Sequence, residues 1–192
     1  MTASPEHFVD FQNVWLAYND ELLAQNHFAV EDINLQVTQG EFIAIVGPSG
    51  CGKSTFMKLT TGLKKPSRGE IYVDGQPVNG PLKISGMAFQ SPSLLPWRTT
   101  LDNVLLPLEI VEPYRSNFKE KKAEYEARAI DLLKTVGLGG YERKFPWELS
   151  GGMQKRAGLA RAIILEPSVI LFDEPTAGLD TSRITTFAKR EG

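Results

Sequence analysis

Phe42-Ile43-Ala44-Ile45-Val46-Gly47-Pro48-Ser49-Gly50-Cys51-Gly52-Lys53-Ser54-Thr55 is the stretch on which the reading of the fold turns. From Gly47 the spacing satisfies G-x-x-x-x-G-K-[ST]. An unbroken apolar run such as 42–46 reads as a parallel strand buried on both faces. After Gly52 the pattern turns helical up to Leu63, where Pro66-Ser67-Arg68-Gly69 closes it. Strand, glycine-rich loop and helix in that order make a phosphate cradle. The glycines let backbone amides approach the α- and β-phosphates of a nucleotide, and the helix N-terminus adds partial positive charge. Lys53 is expected at the β- and γ-phosphates and the Ser54 hydroxyl on Mg²⁺. Gly47, Pro48, Ser49, Gly50, Cys51, Gly52 and Thr55 complete the set expected to touch the nucleotide. Cys51, beside Lys53 near the helix start, is expected to react with thiol reagents and to be shielded by bound nucleotide.

Working outward, residues 7 to 46 read as β. Val9 and Phe11 alternate with polar residues, as do Ile33, Leu35 and Val37, and the polar stretch Asn19 to His27 reads as a hairpin loop. Downstream, Glu70 to Asp74 and Ile84 to Phe89 read as short strands. Residues 91 to 150 read mostly as helix and loop. There Asn117 and Glu120 suggest a capping box, and Ala123, Ala127, Ile130 and Leu133 keep helical spacing. Ser150 to Leu165 reads as a helix and Val169 to Phe172 as a closing strand. The sum is an α/β fold: an N-terminal antiparallel β subdomain, a β–loop–helix core, and a helical subdomain inserted at about 92–150. The whole of 7–192 is expected to form one domain.

Val169-Ile170-Leu171-Phe172 ends in Asp173-Glu174. An acid ending a strand beside a phosphate loop can hold the Mg²⁺ shell, which suits Asp173. Glu174 is then free to orient or deprotonate the attacking water.

Leu149-Ser150-Gly151-Gly152-Met153-Gln154-Lys155-Arg156 resembles the signature motif of ABC transporter ATPases. The resemblance extends over nearly the whole chain and implies a P-loop NTPase core of the RecA-like kind. It also implies a head-to-tail dimer in which Ser150, Gly151, Gly152 and Met153 bind the γ-phosphate of a nucleotide held by the other subunit. Physically this segment repeats the first device without a lysine: a hydroxyl, two accessible amides and a helix start. The family's usual Gln after the glycines is Met153 here. Gln90 matches the glutamine that touches Mg²⁺ and water, and Tyr18 the aromatic that stacks on adenine, with Trp15 as a rival. Ala177-Gly178-Leu179-Asp180 matches the D-loop, in which Asp180 is the characteristic acid. Leu94 to Val104, with Pro96, Trp97 and Asn103, is similar to subunits of nitrate, sulfonate and taurine importers.

What the resemblance implies is an ATP-binding and ATP-hydrolysing subunit that powers solute uptake with Mg²⁺. Its partners would be an integral membrane permease, a second ATP-binding subunit, and indirectly a periplasmic or extracellular solute-binding protein. It would sit as a peripheral protein on the cytoplasmic face of the membrane. Leu94, Leu95 and Trp97 form a Pro-punctuated apolar segment expected to meet that permease. Two other readings are a non-transport ABC ATPase and a regulatory ATP-binding protein with little turnover.

The 192 residues carry 21 basic and 23 acidic side chains, a formal charge of −2 that gives no electrostatic ground for nucleic-acid binding. Its short basic run, Lys119 to Lys122, is interleaved with Glu and reads as a solvated helix face. No apolar run approaches the roughly 20 residues of a membrane-spanning helix. Met1 to His7 lacks the pattern of a signal peptide. The single cysteine precludes an internal disulfide. Both histidines, His7 and His27, precede the phosphate loop. The family's switch histidine lies beyond the D-loop, so the resemblance leads one to expect a C-terminally truncated cassette. Such a chain would bind ATP with its hydrolysis impaired.

Overall fold

The computed structural model describes residues 7–173. The chain divides into two compact units, Met1–Leu82 and Lys83–Gly192.

The first unit is built on a four-stranded antiparallel sheet in the order β2-β1-β3-β4, with β1 Val9–Leu16, β2 Val30–Val37, β3 Arg68–Val73 and β4 Gln76–Pro77. Val9 faces Val37 on one side and Val73 on the other, and Phe11 faces Leu35 and Ile71. Alternation therefore turns Val9, Phe11, Ile71 and Val73 onto one buried face. The register slips after Phe11 on one side and after Gln12 on the other. At that bulge Asn13 adopts φ 48° and Gly69 of β3 adopts φ 79°. A Cβ on Gly69 would lie 2.1 Å from the Asn13 carbonyl oxygen, so only glycine fits there. Helix α2, Lys53–Thr60, closes this face. Phe56 stacks on Phe11 with ring centroids 4.7 Å apart, while Met57 and Leu59 are buried.

Two local expectations are corrected here. The polar stretch 19–27 contains a short helix, α1 Asp20–Ala24, because the Asn19 side chain accepts the Leu22 amide at 2.8 Å. The apolar run 42–46 is not a strand: Phe42 is 86% and Val46 92% exposed. A strand exists only through its ladder partners, and no described strand pairs with this run.

The second unit joins a parallel pair, β5 Ser85–Ala88 with β6 Val169–Phe172, to a helical core. In β6 Ile170 and Phe172 are exposed, while Val169 and Leu171 are partly buried. Helices α3 Thr100–Ile110, α5 Lys122–Thr135 and α6 Gly151–Ile163 share one core. Leu105 and Leu108, Tyr125 and Leu133, and Ala157, Ala160 and Ile164 meet there. A short helix, α4 Tyr114–Asn117, and a 3-10 turn over Pro146–Glu148 complete the unit. The 117/120 capping box is not formed. Asn117 ends α4, and α5 starts at Lys122 with no side-chain cap. The buried stripe of α5 is Tyr125, Ala129 and Leu133, whereas Ala123 and Ala127 face solvent. Close contacts use missing side chains: a Cβ on Gly86 would lie 2.4 Å from the Ala162 oxygen, and one on Gly158 would lie 2.9 Å from Pro92 Cβ.

Asn103 is fully buried and holds the segment before α3. Its Oδ1 accepts the Leu95 amide at 2.7 Å, and its Nδ2 donates to the carbonyls of Leu95, Arg98 and Thr99 at 3.0–3.1 Å. Asn103→Leu keeps the branched shape and strands these backbone groups. The expected loss is about 3 kcal/mol of unfolding free energy, read as a lower urea midpoint at unchanged slope. A parental midpoint would show that the segment is held by other means.

Candidate functional site

The loop Gly47–Gly52 enters α2 through two left-handed residues, Gly50 at φ 81° and Gly52 at φ 97°, the latter being the N-cap. Gly52 lies against β2: a Cβ would sit 3.0 Å from the Ala29 oxygen and 3.4 Å from Val30 Cγ2. No side chain caps this helix, and helix starts of that kind suit anions. Lys53 Nζ donates to the carbonyls of Gly47 and Pro48, each at 2.7 Å, and lies 3.8 Å from Cys51 Sγ. The ammonium thus spans the loop from its far end. Cys51 is exposed. Thr55 is buried one turn into the helix, and Ser54 is partly buried. Residues 29–35, Ile45, Val46, Cys51, Lys53 and Phe56 line an open cleft of about 590 Å³ beside this loop.

The two aromatic candidates part company. Trp15 is partly buried, edge-on to Phe28 at 4.9 Å between centroids. Tyr18 is 51% exposed, with Lys64 Nζ 5.5 Å from its ring centroid and its hydroxyl on Thr55 Oγ1. Sequence reading did not find Lys64, because its approach to Tyr18 depends on the end of α2 folding back toward β1.

In the second unit, Ser150 is the N-cap of α6, and its hydroxyl accepts the Met153 amide at 3.3 Å. A Cβ at Gly151 or Gly152 would meet nothing within 4 Å, so this helix start is open on that side. The segment before it is pinned. Glu148 accepts from Lys144 Nζ at 2.7 Å and from the Phe145 amide at 2.8 Å. The Lys144 ammonium, with the amide second, holds the Glu148 carboxyl below its usual range. Gln154 donates to the carbonyls of Pro146 and Leu149. Two arginines of α6 have structural contacts that the sequence did not foretell. Arg156 donates to the Val136 carbonyl at 3.0 Å and the Gly137 carbonyl at 3.3 Å, tying down the end of α5. Arg161 donates to the carbonyls of Pro92 and Ser93, and burial draws its guanidinium below the usual range.

The parallel register sets Ala88 opposite Phe172, so Gln90 and Asp173 leave the same C-terminal edge of the β5–β6 pair. Gln90 is exposed, and the Asp173 amide donates to the Ala88 carbonyl at 2.9 Å. Glu174 and Asp180 lie outside the described residues. Among the described residues no group of three or more His, Cys, Asp or Glu could hold a metal. Ser54 in the first unit, and Gln90 and Asp173 in the second, each carry a side-chain oxygen of the hard kind that Mg²⁺ prefers. No helix among the described residues is long and apolar enough to cross a membrane.

A sequence model of the ABC transporter family matches residues 30–177. A taurine import ATP-binding protein of Yersinia pestis (bv. Antiqua, strain Antiqua) is 38% identical over 172 residues, 90% of this chain and 62% of that protein. A nitrate import ATP-binding protein of Synechococcus elongatus is 41% identical over 155 residues, 80% of this chain and 54% of that protein. The chain thus spans less than two thirds of these relatives' lengths. A solved structure of a dimeric ATP-binding cassette in a post-hydrolysis state, bound to ADP and Pi, superposes with a TM-score of 0.73 at 33% identity. It covers 91% of this chain and 77% of that one.

The loop geometry predicts an asymmetry between its glycines. Gly52→Ala meets both a left-handed backbone and the Ala29 oxygen, whereas Gly50→Ala at φ 81° meets open space. Gly50→Ala should cost about 1 kcal/mol of unfolding free energy and Gly52→Ala about 2–3 kcal/mol. Equal costs in urea titration would show that Ala29 does not confine this turn.

Proposed function

The chain belongs to the ABC transporter family, and from that membership we propose that it is the ATP-binding, ATP-hydrolysing subunit of an importer of the taurine and nitrate kind. The observation that carries the reading is the phosphate loop: two left-handed glycines, an uncapped helix start, and the Lys53 ammonium on the Gly47 and Pro48 carbonyls. An ammonium held by neutral carbonyls can exchange them for phosphate oxygens, whose negative charge makes the stronger acceptor. The amides of Gly50 to Ser54 then face the α- and β-phosphates, and Thr55 stands behind them. Tyr18, the more exposed of the two aromatic candidates, receives adenine. Mg²⁺, when bound with the nucleotide, neutralises charge on the β- and γ-phosphates. Ser54, Asp173 and Gln90 are the residues to hold it, and Glu174 is assigned to the attacking water.

The second phosphate nest, Ser150 to Met153, serves the nucleotide of a second ATP-binding subunit. Its open glycines and N-cap geometry support that role. Residues 92–150 act as the inserted helical lobe of one cassette spanning 7–192. The permease partner meets the segment that Asn103 organises. Leu94 packs against the helical core there, while Trp97 is 71% exposed. The protein then works at the cytoplasmic face of the membrane, and a solute-binding protein delivers to the permease from the other side.

Lys53→Ala should weaken Mg-ATP binding about a hundredfold, the scale of one or two charge-assisted contacts. Parental affinity in a fluorescent-nucleotide titration would refute the phosphate-loop assignment. Trp97→Ser should release the subunit from membranes that contain its permease, with ATP affinity unchanged. Retention on the membranes in a sedimentation assay would place the docking surface elsewhere.

A further inference from the structure

We propose that Tyr18 is a positioning residue for the phosphate site as well as a base-stacking one, its hydroxyl orienting Thr55 toward the nucleotide phosphates. The proposal rests on the ATP reading of this loop and extends it. Tyr18 Oη and Thr55 Oγ1 are 2.5 Å apart, and this is a link between the end of β1 and the first turn of α2. Thr55 is 6% exposed, whereas Tyr18 is 51% exposed. A helical threonine hydroxyl commonly turns back to the carbonyl four residues before it. Thr60 and Thr61 of this segment do so, onto Phe56 and Met57 at 3.0 Å each. Thr55 is instead engaged from outside the helix.

The direction of this hydrogen bond follows from acidity. A phenol gives up its proton more readily than an aliphatic alcohol, so Tyr18 is the donor and Thr55 the acceptor. The Thr55 proton is then left for a further acceptor and is polarised by the bond it already receives. On a helix whose N-terminus opens onto phosphate, that acceptor is a phosphate oxygen. Base recognition and phosphate grip then share one side chain: whatever displaces the Tyr18 ring also releases the Thr55 hydroxyl.

The test separates hydroxyl from ring by using a ligand without a base. ATP and inorganic tripolyphosphate, each with Mg²⁺, are titrated calorimetrically into the 192-residue chain and into Tyr18→Phe, Thr55→Val, Thr55→Ser and the Tyr18→Phe/Thr55→Val double variant. Tyr18→Phe and Thr55→Val are nearly isosteric, Thr55→Ser removes one methyl group, and circular dichroism checks that each variant folds. Tyr18→Phe should weaken both ligands about fivefold, the worth of one hydrogen bond of about 1 kcal/mol at 1.4 kcal/mol per tenfold. Thr55→Val should weaken both at least as much, Thr55→Ser should retain parental affinity, and adding Tyr18→Phe to Thr55→Val should cost nothing more. Tyr18→Phe with parental affinity for tripolyphosphate would overturn the proposal and leave Tyr18 a stacking residue only. So would additive losses in the double variant. A parent chain that binds neither ligand overturns the ATP reading and this proposal with it, an outcome visible in the first titration alone.

Discussion

The left-handed turn at Gly52 is the constraint from which the phosphate site follows. It carries the end of the loop into α2 at φ 97° while lying against the Ala29 carbonyl. A side chain there would push the helix start away from β2. The turn also leaves α2 without a side-chain cap, and a helix start of that kind suits an anionic acceptor. Lys53 answers the opposite need, since the carbonyls of Gly47 and Pro48 point at a cation that the same loop supplies. The loop thus meets two of its own carbonyls with its own ammonium and enters a helix that no side chain caps, a polarity that suits an anion.

What fixes α2 in turn is ordinary packing. Phe56 stacks on Phe11, and Met57 and Leu59 are buried beside the sheet whose inner face carries Ile71 and Val73. The phosphate loop thus inherits its position from a hydrophobic contact that has no part in the chemistry. The second unit uses the same logic with different means. Its open helix start at Ser150 is steadied by Glu148 and Gln154, which satisfy backbone groups just upstream. Farther along α6, Arg156 and Arg161 fasten neighbouring segments by donating to carbonyls at the end of α5 and at Pro92 and Ser93. Guanidinium groups suit this work because one planar fork can reach two carbonyls at once.

The features legible in the sequence were those set by local chemistry. The alternation of Val9 and Phe11 with Ile33, Leu35 and Val37 gave the antiparallel pair. The spacing of Gly47, Gly52 and Lys53 located the turn into α2. Ser150 before two glycines marked the cap of α6. Period without phase failed in α5: Ala123 and Ala127 keep the spacing, but alanine is nearly indifferent to burial, and Tyr125 with Leu133 decides which face turns inward. The Asn117–Glu120 cap failed because the chain makes a separate short helix at Tyr114–Asn117 first. Apolar content alone misread 42–46, where hydrophobicity states a preference for burial and cannot supply a hydrogen-bonding neighbour.

Contacts between residues distant in sequence form the remaining class. Asn103 reads as an ordinary polar residue near a helix start, yet four hydrogen bonds to the segment 95–99 require that it be buried. Tyr18 and Thr55 belong to separate motifs, one at the end of a strand and one in a helix, and neither motif predicts the other. Their hydrogen bond exists because the β1 bulge at Asn13 and the left-handed turn at Gly52 each fix a direction of the chain. A motif specifies which groups a site needs. The backbone turns around it decide which of those groups support one another, and so whether adenine recognition and phosphate binding act as one step or two.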